Sequence, residues 1–364
     1  MRWSAARLLS ALPVGLLLQL LPTWLLLLSN AVTAQSQQLQ CGSPKSFDVI
    51  ALWQQFNRSR KKRMLPGQRP DLSEKVIRRQ QDIIQPWSVD LTKSHNVEEV
   101  HNKIVGGWDI HDKTGGQICW QVGIIIGTAD GYFNCGGSII GSHTILTAAH
   151  CVFSRRGAVR PPTDFTVVVG ALDGGFDGSN AKEGAANCGR SFNVSKVQPH
   201  PNYTPMSSGN NDLALLTLIG DIDLSGTCAC AICLTDKSPA VGEWTAVSGY
   251  GDVSEGGADD PNPIPLRFVY LQILDNNRRL CSFNTGTDAD LFLCAGDVVG
   301  QDSCQGDSGG PLFAWDTGNK VYYLAGIVSF GEGCARGTGG QYTKVQKYLP
   351  WIRQNGQSTG LSIV

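Results

Sequence analysis

The sequence predicts an all-β protein of antiparallel strands, and three observations support this prediction. First, 43 glycines and 17 prolines in 364 residues favour a turn-rich β protein over a helical bundle. Second, short apolar runs separated by Gly, Asn, Asp and Pro follow one another after Lys103, which is typical of antiparallel barrels and sandwiches. Third, the only clear helical pattern after Lys103 covers residues 347–354, near the end of the chain.

The composition allows a folded core of some size. Apolar residues make up 41% of the chain, and charged residues, at 17%, are too few for a disordered chain. Seven apolar runs are the clearest strand candidates: 121–126, 138–146, 165–169, 213–218, 244–248, 267–274 and 322–328.

Residues 1–34 have the features of a signal peptide. Two basic residues come first, the leucine-rich run 8–28 follows, and small residues lead up to Ala34. We expect cleavage after Ala34 and a secreted, extracellular protein that has no membrane attachment afterwards. The alternative is a signal anchor, because the apolar run is nearly long enough to span a bilayer, although Pro13 and Pro22 interrupt it.

Residues 35–103 are expected to form a mostly irregular pro-segment. This stretch is polar and contains a single cysteine, Cys41. Its basic run 58–63 resembles a cleavage site for a proprotein convertase, and a solvated basic stretch is an equally good interpretation.

Charge is distributed unevenly along the chain. The formal net charge is −1, but residues 104–364 carry 16 basic and 24 acidic residues, whereas residues 35–103 carry 12 basic and 7 acidic residues. Phosphate contacts require clustered cations, so we do not expect the large acidic part to bind nucleic acid. Twelve cysteines indicate an oxidising compartment.

Three short motifs contain residue types that act together in nucleophilic catalysis. Thr-Ala-Ala-His-Cys places His150 after an apolar strand and beside a cysteine. Asp212 opens a strand that is predicted to be buried, and a buried carboxylate needs hydrogen-bonded partners. Gly-Asp-Ser-Gly-Gly-Pro places Ser308 in a glycine-rich turn, where backbone amides can converge to hold an anion.

Together with Ile-Val-Gly-Gly at residues 104–107, these motifs resemble the trypsin and chymotrypsin family of serine proteases, in the same chain order. The resemblance covers about residues 104–356. It implies two antiparallel six-stranded β-barrels with the site in the cleft between them, and a short C-terminal helix. We therefore expect residues 104–364 to be a trypsin-like serine protease domain without a cofactor or a catalytic metal.

The resemblance also implies a role for each residue of the site. Ser308 would be the nucleophile, His150 its general base, and Asp212 the carboxylate that orients the imidazole. The backbone amides of Gly306 and Ser308 would form the oxyanion hole. Ser329 matches the family serine that bonds the buried aspartate.

Specificity for basic residues is implied by the resemblance as well. Asp302 lies six residues before Ser308, at the family position for the base of the primary pocket, and Gly331 and Gly340 match the glycines of its walls. A carboxylate in a narrow slot selects a cationic side chain, so cleavage after Arg or Lys is expected. Gly209 falls where relatives often have a bulky residue, which indicates a roomy second subsite.

The family pattern further implies a zymogen. Cleavage between Lys103 and Ile104 would free an α-amine that pairs with Asp307, and the uncut chain would lack a formed pocket. The implied partners are protein or peptide substrates with Arg or Lys, an activating protease and protease inhibitors.

Cysteine spacing in the family implies the pairs Cys135–Cys151, Cys281–Cys294 and Cys304–Cys334. Six cysteines then remain, and their pairing is open: Cys41, Cys119, Cys188, Cys228, Cys230 and Cys233. By the resemblance, Cys41 is expected to join one of the cluster Cys228, Cys230 and Cys233. An ordinary acidic loop is favoured over a calcium site within residues 171–199.

Three sequons, at Asn57, Asn193 and Asn202, predict glycosylation. Two alternatives to an active protease specific for Arg or Lys remain. One is a catalytically silent binding protein on the same fold, and the other is an active protease with apolar primary specificity.

Overall fold

The structure is a computed structural model that describes residues 41–42, 108–109, 118–129, 131–171, 173–174, 189–225, 228–252, 264–277, 281, 286–296, 302–334, 336, 338–356, 361 and 363. The predicted signal peptide, the basic run 58–63, Asn57 and the predicted cleavage site at Lys103 and Ile104 lie outside the described residues. None of the helices among the described residues is long and apolar enough to cross a bilayer.

The first barrel is closed and consists of six antiparallel strands. Its strands are β2 (Gln121–Thr128), β3 (Gly131–Gly141), β4 (Thr144–Thr147), β5 (Phe165–Val169), β7 (Arg190–Pro199) and β8 (Ala214–Leu218), hydrogen-bonded in the order β2-β3-β4-β8-β7-β5. Along β2, Val122, Ile124 and Ile126 are fully buried at every second position, as a strand that lines a core requires. A four-residue helix, α1 (Ala149–Val152), follows β4.

The second barrel also has six antiparallel strands. They are β9 (Trp244–Gly249), β11 (Arg267–Leu274), β12 (Phe292–Gly296), β13 (Pro311–Asp316), β14 (Val321–Phe330) and β15 (Gly340–Lys344), and pairing of β11 with β9 closes the ring. The two-residue strand β1 (Trp108–Asp109) adds to the edge of β11. A separate pair is formed by β6 (Asp173–Gly174) and β10 (Ile264–Pro265). The prediction of two six-stranded barrels is confirmed.

Aromatic side chains join the two barrels. Trp120, directly before β2, is fully buried, and its ring centroid lies 5.1 Å from that of Phe313 and 5.5 Å from that of Tyr322 in the second barrel. Aromatic pairs at this separation contribute about 0.5–1.5 kcal/mol each beyond their buried area. This contact fixes how the barrels meet, and therefore fixes the groups that each barrel brings to the junction.

Several predicted elements have different bounds in the structure, and two of them differ most. The predicted strand 138–146 covers the end of β3 and the first three residues of β4, which are joined by a turn at Ser142 and His143. The two strands appear as one apolar run in the sequence because both are buried. The C-terminal helix α2 spans Leu349–Asn355, and a 3-10 turn, Val345–Tyr348, precedes it.

Five disulfides are formed among the described residues. Cys135–Cys151, Cys281–Cys294 and Cys304–Cys334 are the pairs that the family spacing implied; Cys119–Cys230 and Cys41–Cys233 are the other two. Cys228 is also disulfide-bonded, and Cys188 lies outside the described residues. Cys41 is thus joined to Cys233, one member of the cluster that the sequence left open.

Candidate active site

The local fold around His150 presents its ring at the junction of the barrels. Strand β4 ends at Thr147, helix α1 carries His150, and the Cys135–Cys151 disulfide ties this helix to β3. The imidazole retains 33% of its exposure, so one side of the ring is accessible to a substrate.

Asp212 is buried and fully supplied with hydrogen-bond donors. Its Oδ1 accepts from the backbone N–H of His150 at 2.8 Å, and its Oδ2 lies 2.7 Å from His150 Nδ1. The hydroxyl of Ser329 donates to the same Oδ2 at 2.6 Å. A carboxylate that is 2% exposed requires such partners, and they hold the imidazole in one orientation.

The pKa of His150 reflects two opposing effects. Burial lowers the pKa of the imidazole, whereas the negative charge of Asp212 and its hydrogen bond raise it, and the net result is a pKa above the ordinary value of 6.5. The pair therefore stabilises an imidazolium that forms during a reaction, which is what a general base needs.

Ser308 lies on a tight turn that packs against the segment of His150. Its backbone carbonyl accepts from Gly136 N–H at 2.7 Å and lies 3.7 Å from Sγ of Cys151, the neighbour of His150. The nucleophile turn, defined here as residues 304–310, thus contacts both β3 and α1 of the first barrel.

Two amides of the nucleophile turn are available to an oxyanion. The N–H of Asp307 donates to Cys304 O at 3.1 Å, and the N–H of Gly309 donates to Val328 O at 2.8 Å. Within the described part of the chain, the N–H groups of Gly306 and Ser308, on either side of Asp307, donate to no acceptor. Unengaged amides on alternate residues of a glycine-rich turn suit a developing negative charge.

Asp307 is completely buried beside the nucleophile. Gly251 N–H donates to its Oδ1 and Cys304 N–H to its Oδ2, both at 2.8 Å. Burial raises the pKa of Asp307 to about 6, although the two amide hydrogen bonds and the charge of Arg267 lower it; the charge of Asp252 raises it further. The raised pKa means that burial disfavours the charged form of this carboxyl more than its neighbours stabilise it.

The three residues that the sequence indicated for the primary pocket, Asp302, Gly331 and Gly340, all lie among the described residues. Asp302 is 5% exposed, and a Cβ added to Gly331 would lie 3.7 Å from Gly340 Cα, so these two glycines face each other. A Cβ on Gly340 would lie 3.2 Å from Tyr342 Oη. The Cys304–Cys334 disulfide links the nucleophile turn to the segment that carries Gly331.

Sequence reasoning missed Ser303 and Tyr342. Ser303 Oγ lies 3.2 Å from Tyr342 Oη, and burial followed by the charge of Asp302 raises the pKa of the phenol. Tyr342 lies two residues after Gly340 on β15. Residues two apart on a strand face the same side, and this spacing is the sequence signal that could have placed Tyr342 beside Gly340.

Gly209 contacts the ring of Phe330. A Cβ on Gly209 would lie 2.9 Å from Phe330 Cε1, so the phenyl ring occupies the space on that side of the predicted second subsite. The two described sequons, at Asn193 and Asn202, have exposed asparagines.

One group of side chains has the ligand types of a metal site. Cys135, His150 and Cys151 bring ligand atoms within 4.8 Å of one another, and no other such group occurs in the ranges that the structure describes. The two cysteines form a disulfide with each other, so neither can supply a thiolate to a metal.

The two closed barrels, the Asp212–His150 pair and the nucleophile turn together define the class of two-barrel serine proteases. The trypsin family matches residues 104–352, and the chain belongs to this family.

Individual relatives agree with this assignment. Trypsin-1 of Astacus astacus is 37% identical over 225 residues, which cover 61% of this chain and 87% of that protein. Protein masquerade of Drosophila melanogaster is 35% identical over 260 residues, which cover 69% of this chain and 23% of that protein. Phenoloxidase-activating factor 3 of Holotrichia diomphalia is 34% identical over 238 residues, or 61% of this chain and 64% of that protein.

Proposed function

We propose that this protein is a secreted serine endopeptidase, synthesised as a zymogen, that cleaves after Arg or Lys once the chain is cut after Lys103. The observation that carries the proposal is the 2.7 Å contact between His150 Nδ1 and Asp212 Oδ2, next to a turn whose Gly306 and Ser308 amides are unengaged. A serine alcohol needs a base of this kind to attack an amide.

The reaction follows from these groups. His150 takes the hydroxyl proton of Ser308 as Oγ bonds to the substrate carbonyl carbon, and the carbonyl oxygen becomes an oxyanion that the Gly306 and Ser308 amides stabilise. The imidazolium then gives its proton to the leaving amine as the C–N bond breaks. Water, deprotonated by the same imidazole, hydrolyses the acyl-enzyme and restores Ser308. Each lost oxyanion donor costs about 3–4 kcal/mol of barrier.

Asp302 supports specificity for Arg and Lys. Asp302 is buried and accepts a hydrogen bond from Ser303 N–H, and the guanidinium or ammonium of a substrate would pair with its negative charge, whereas an apolar side chain would not. Asp307 supports the zymogen mechanism, because its raised pKa indicates a site that an added cation stabilises. An α-amine freed at Ile104 is that cation.

The proposed enzyme is made with a signal peptide, secreted and glycosylated. The disulfides fit an oxidising compartment, and the exposed positions of Asn193 and Asn202 leave room for a glycan. The substrates would be proteins or peptides with Arg or Lys, and an activating protease would act at Lys103.

Fluorophosphonate labelling of the chain cut at Lys103 tests the proposal. We expect covalent modification at Ser308 and none in Ser308→Ala, because only the activated alcohol attacks phosphorus. Absence of labelling in the cut chain would favour the silent binding protein.

Peptide substrates that differ only in Arg or Phe before the scissile bond test specificity. We expect Asp302→Ser to lose cleavage after Arg and Lys while it retains labelling. Faster cleavage after Phe by the unmodified enzyme would assign an apolar pocket instead.

A further inference from the structure

Two arginines occupy the tip of a hydrogen-bonded turn that follows the helix of His150. The N–H of Gly157 donates to Ser154 O at 2.9 Å, which closes a β-turn whose two central residues are Arg155 and Arg156. Gly157 stands at the fourth position of this turn, where glycine is favoured, and has φ +76°. The two guanidinium groups therefore extend from a defined piece of backbone.

Further hydrogen bonds tie this turn to α1. The N–H of Ser154 donates to Ala158 O at 2.8 Å, and the N–H of Arg160 donates to Val152 O at 2.9 Å. Residues 152–160 thus form a short hairpin, called here the arginine hairpin, whose base is the last residue of α1.

The two arginines at the tip have no anionic partner. Arg155 and Arg156 are exposed, and neither forms an ion pair with any residue that the structure describes. The next acidic residue along the chain, Asp164, is already paired, because its Oδ2 lies 3.6 Å from Arg160 Nη1. Two adjacent unpaired cations add their fields at a nearby anion, and this local charge is opposite to the acidic balance of residues 104–364.

The arginine hairpin packs beside the start of β3. Cζ of Arg160 lies 5.2 Å from the centroid of the Phe133 ring, and its Nη1 donates to Gly127 O at 3.4 Å. Phe133 precedes Gly136 by three residues on β3, and Gly136 N–H donates to Ser308 O. At about 3.3 Å per residue, β3 runs about 10 Å from the nucleophile turn to the hairpin.

The proposed reaction directs the leaving part of a substrate past this surface. The side chain before the scissile bond points to Asp302 in the second barrel. The chain after the bond then leaves Ser308 toward the first barrel, where β3 and the arginine hairpin lie. An extended peptide advances about 3.3 Å per residue, so a distance of about 10 Å corresponds to the second and third residues after the bond.

We propose that Arg155 and Arg156 form a specificity site for acidic residues at the second and third positions after the scissile bond. The inference rests on the proposed function and narrows its substrate class to proteins in which Asp or Glu follows the cleaved bond closely. Guanidinium groups suit this role because they bind carboxylates through paired hydrogen bonds. Neither arginine takes part in the bond-breaking steps, so the site selects among substrates.

Three matched peptides test the inference on enzyme cut at Lys103 with immobilised trypsin, which is then removed. The peptides are identical through Arg and one Ala after the scissile bond, and continue with Glu-Glu, Gln-Gln or Lys-Lys. We expect kcat/KM at low salt to fall in that order, by about threefold to tenfold per step, because exposed charge pairs are weak. In 1 M salt the Debye length is only about 3 Å, so the preference should largely disappear.

Substitutions at the tip should change the preference in a defined direction. The double variant Arg155→Gln, Arg156→Gln should cleave the three peptides at similar rates, and Arg155→Glu with Arg156→Glu should prefer Lys-Lys. Arg353→Gln, at an exposed position on α2, is the matched control and should keep the preference for Glu-Glu.

An Arg anilide, which has no residue after the scissile bond, corrects for changes in fold or chemistry. Each peptide rate is divided by the rate of the same variant on the anilide. A merely structural role for the hairpin would lower all four substrates together and leave these ratios unchanged. Ser308→Ala treated in the same way is the blank for residual trypsin.

The outcomes separate this inference from the proposed function. Equal kcat/KM for Glu-Glu and Lys-Lys in the unmodified enzyme, beside cleavage of the anilide, overturns the inference and leaves the protease assignment intact. An unchanged preference for Glu-Glu in the double variants also overturns it. A cut chain that neither cleaves the anilide nor is labelled by a fluorophosphonate removes the proposed function, and this inference with it.

Discussion

At the scale of single residues, the chemistry depends on the balance between burial and charge at His150. Burial disfavours the imidazolium, and Asp212 more than compensates, so the pKa lies above 6.5. A general base must be unprotonated, and activity therefore falls as the pH decreases through this raised value. We expect the acid limb of kcat/KM in the cut enzyme to have its midpoint above pH 6.5.

Replacement of Asp212 by Asn tests this balance. The neutral amide removes the charge that raises the pKa, so the acid limb should move to lower pH, and kcat should drop by about 10⁴-fold as the imidazole loses its orienting acceptor. Asp221→Asn is a matched control, because Asp221 Oδ1 lies 3.1 Å from His143 Nδ1 in a second, exposed Asp–His pair. An acid limb that stays at the same pH in Asp212→Asn contradicts the assigned role.

The sequence revealed those site residues that lie in short contiguous motifs. His150 and Ser308 stand in such motifs, and Asp302 is placed by its distance from Ser308 alone. Nothing in the local sequence indicates what Arg267 and Tyr342 contact, because the register between strands determines what they face. One sequence does not fix that register, since alternative pairings preserve the same apolar pattern.

At the scale of elements, the nucleophile turn is held by contacts with both barrels. Gly309 has φ +81°, a conformation that favours glycine. It also has no room for a side chain, because an added Cβ would overlap Thr147 Oγ1 and lie 2.6 Å from Gly136 O. Its N–H also donates to Val328 O on β14. The turn cannot move outward at this point without losing a contact to β14.

We expect Gly309→Ala to destabilise the fold by about 2–5 kcal/mol, because backbone strain and steric overlap add. Gly220→Ala is the matched control: Gly220 has φ +89°, and nothing lies within 4 Å of an added Cβ. The control should cost only about 1–2 kcal/mol from strain. Urea unfolding measures both variants, and equal losses would exclude close packing of the turn.

At the scale of the whole molecule, the sequence predicted the architecture better than the connections within it. Strands 165–169 and 267–274 have the predicted bounds, because each is a single apolar run that ends in turn residues. The partner of Cys41 could not be predicted. Cys228, Cys230 and Cys233 lie within six residues, and only the folded chain brings Cys233 beside Tyr322 and Gly42.

If the chain is cut after Lys103 as proposed, the Cys41–Cys233 disulfide should keep the fragment that contains Cys41 attached to the rest of the protein. Gly42 N–H donates to Ala231 O at 2.8 Å, and Tyr322 N–H donates to Gly42 O at 2.9 Å, so the anchor also includes backbone hydrogen bonds. Electrophoresis of the chain cut at Lys103 should give one band without reductant and two bands with it. The double variant Cys41→Ser, Cys233→Ser should give two bands in both conditions. Two bands from the unmodified protein without reductant would show that the fragments are not joined and would contradict the anchor.

Asp307 links the stability of the uncut molecule to pH. Its pKa of about 6 in the folded state exceeds the ordinary value of 3.8, so the folded chain binds a proton more readily than the unfolded chain between these values. Its contribution to the free energy of unfolding must therefore decrease as the pH rises from about 4 through 6, by about 2–3 kcal/mol in total. Arg267 reduces this loss and Asp252 increases it.

Chemical unfolding of uncut Ser308→Ala at pH 4.5 and 7.5, with and without Asp307→Asn, isolates this contribution. Asn pays a constant cost for its altered hydrogen bonds with Gly251 and Cys304, but it does not titrate. The stability difference between the two proteins should therefore change with pH in favour of the carboxyl form at pH 4.5. Cleavage at Lys103 should shrink that change, because an α-amine next to Asp307 lowers its pKa toward the unfolded value. If the free energies of unfolding of the two uncut proteins change in parallel with pH, the pKa of Asp307 is not raised in the folded state, because nearby positive charge already balances the buried carboxylate.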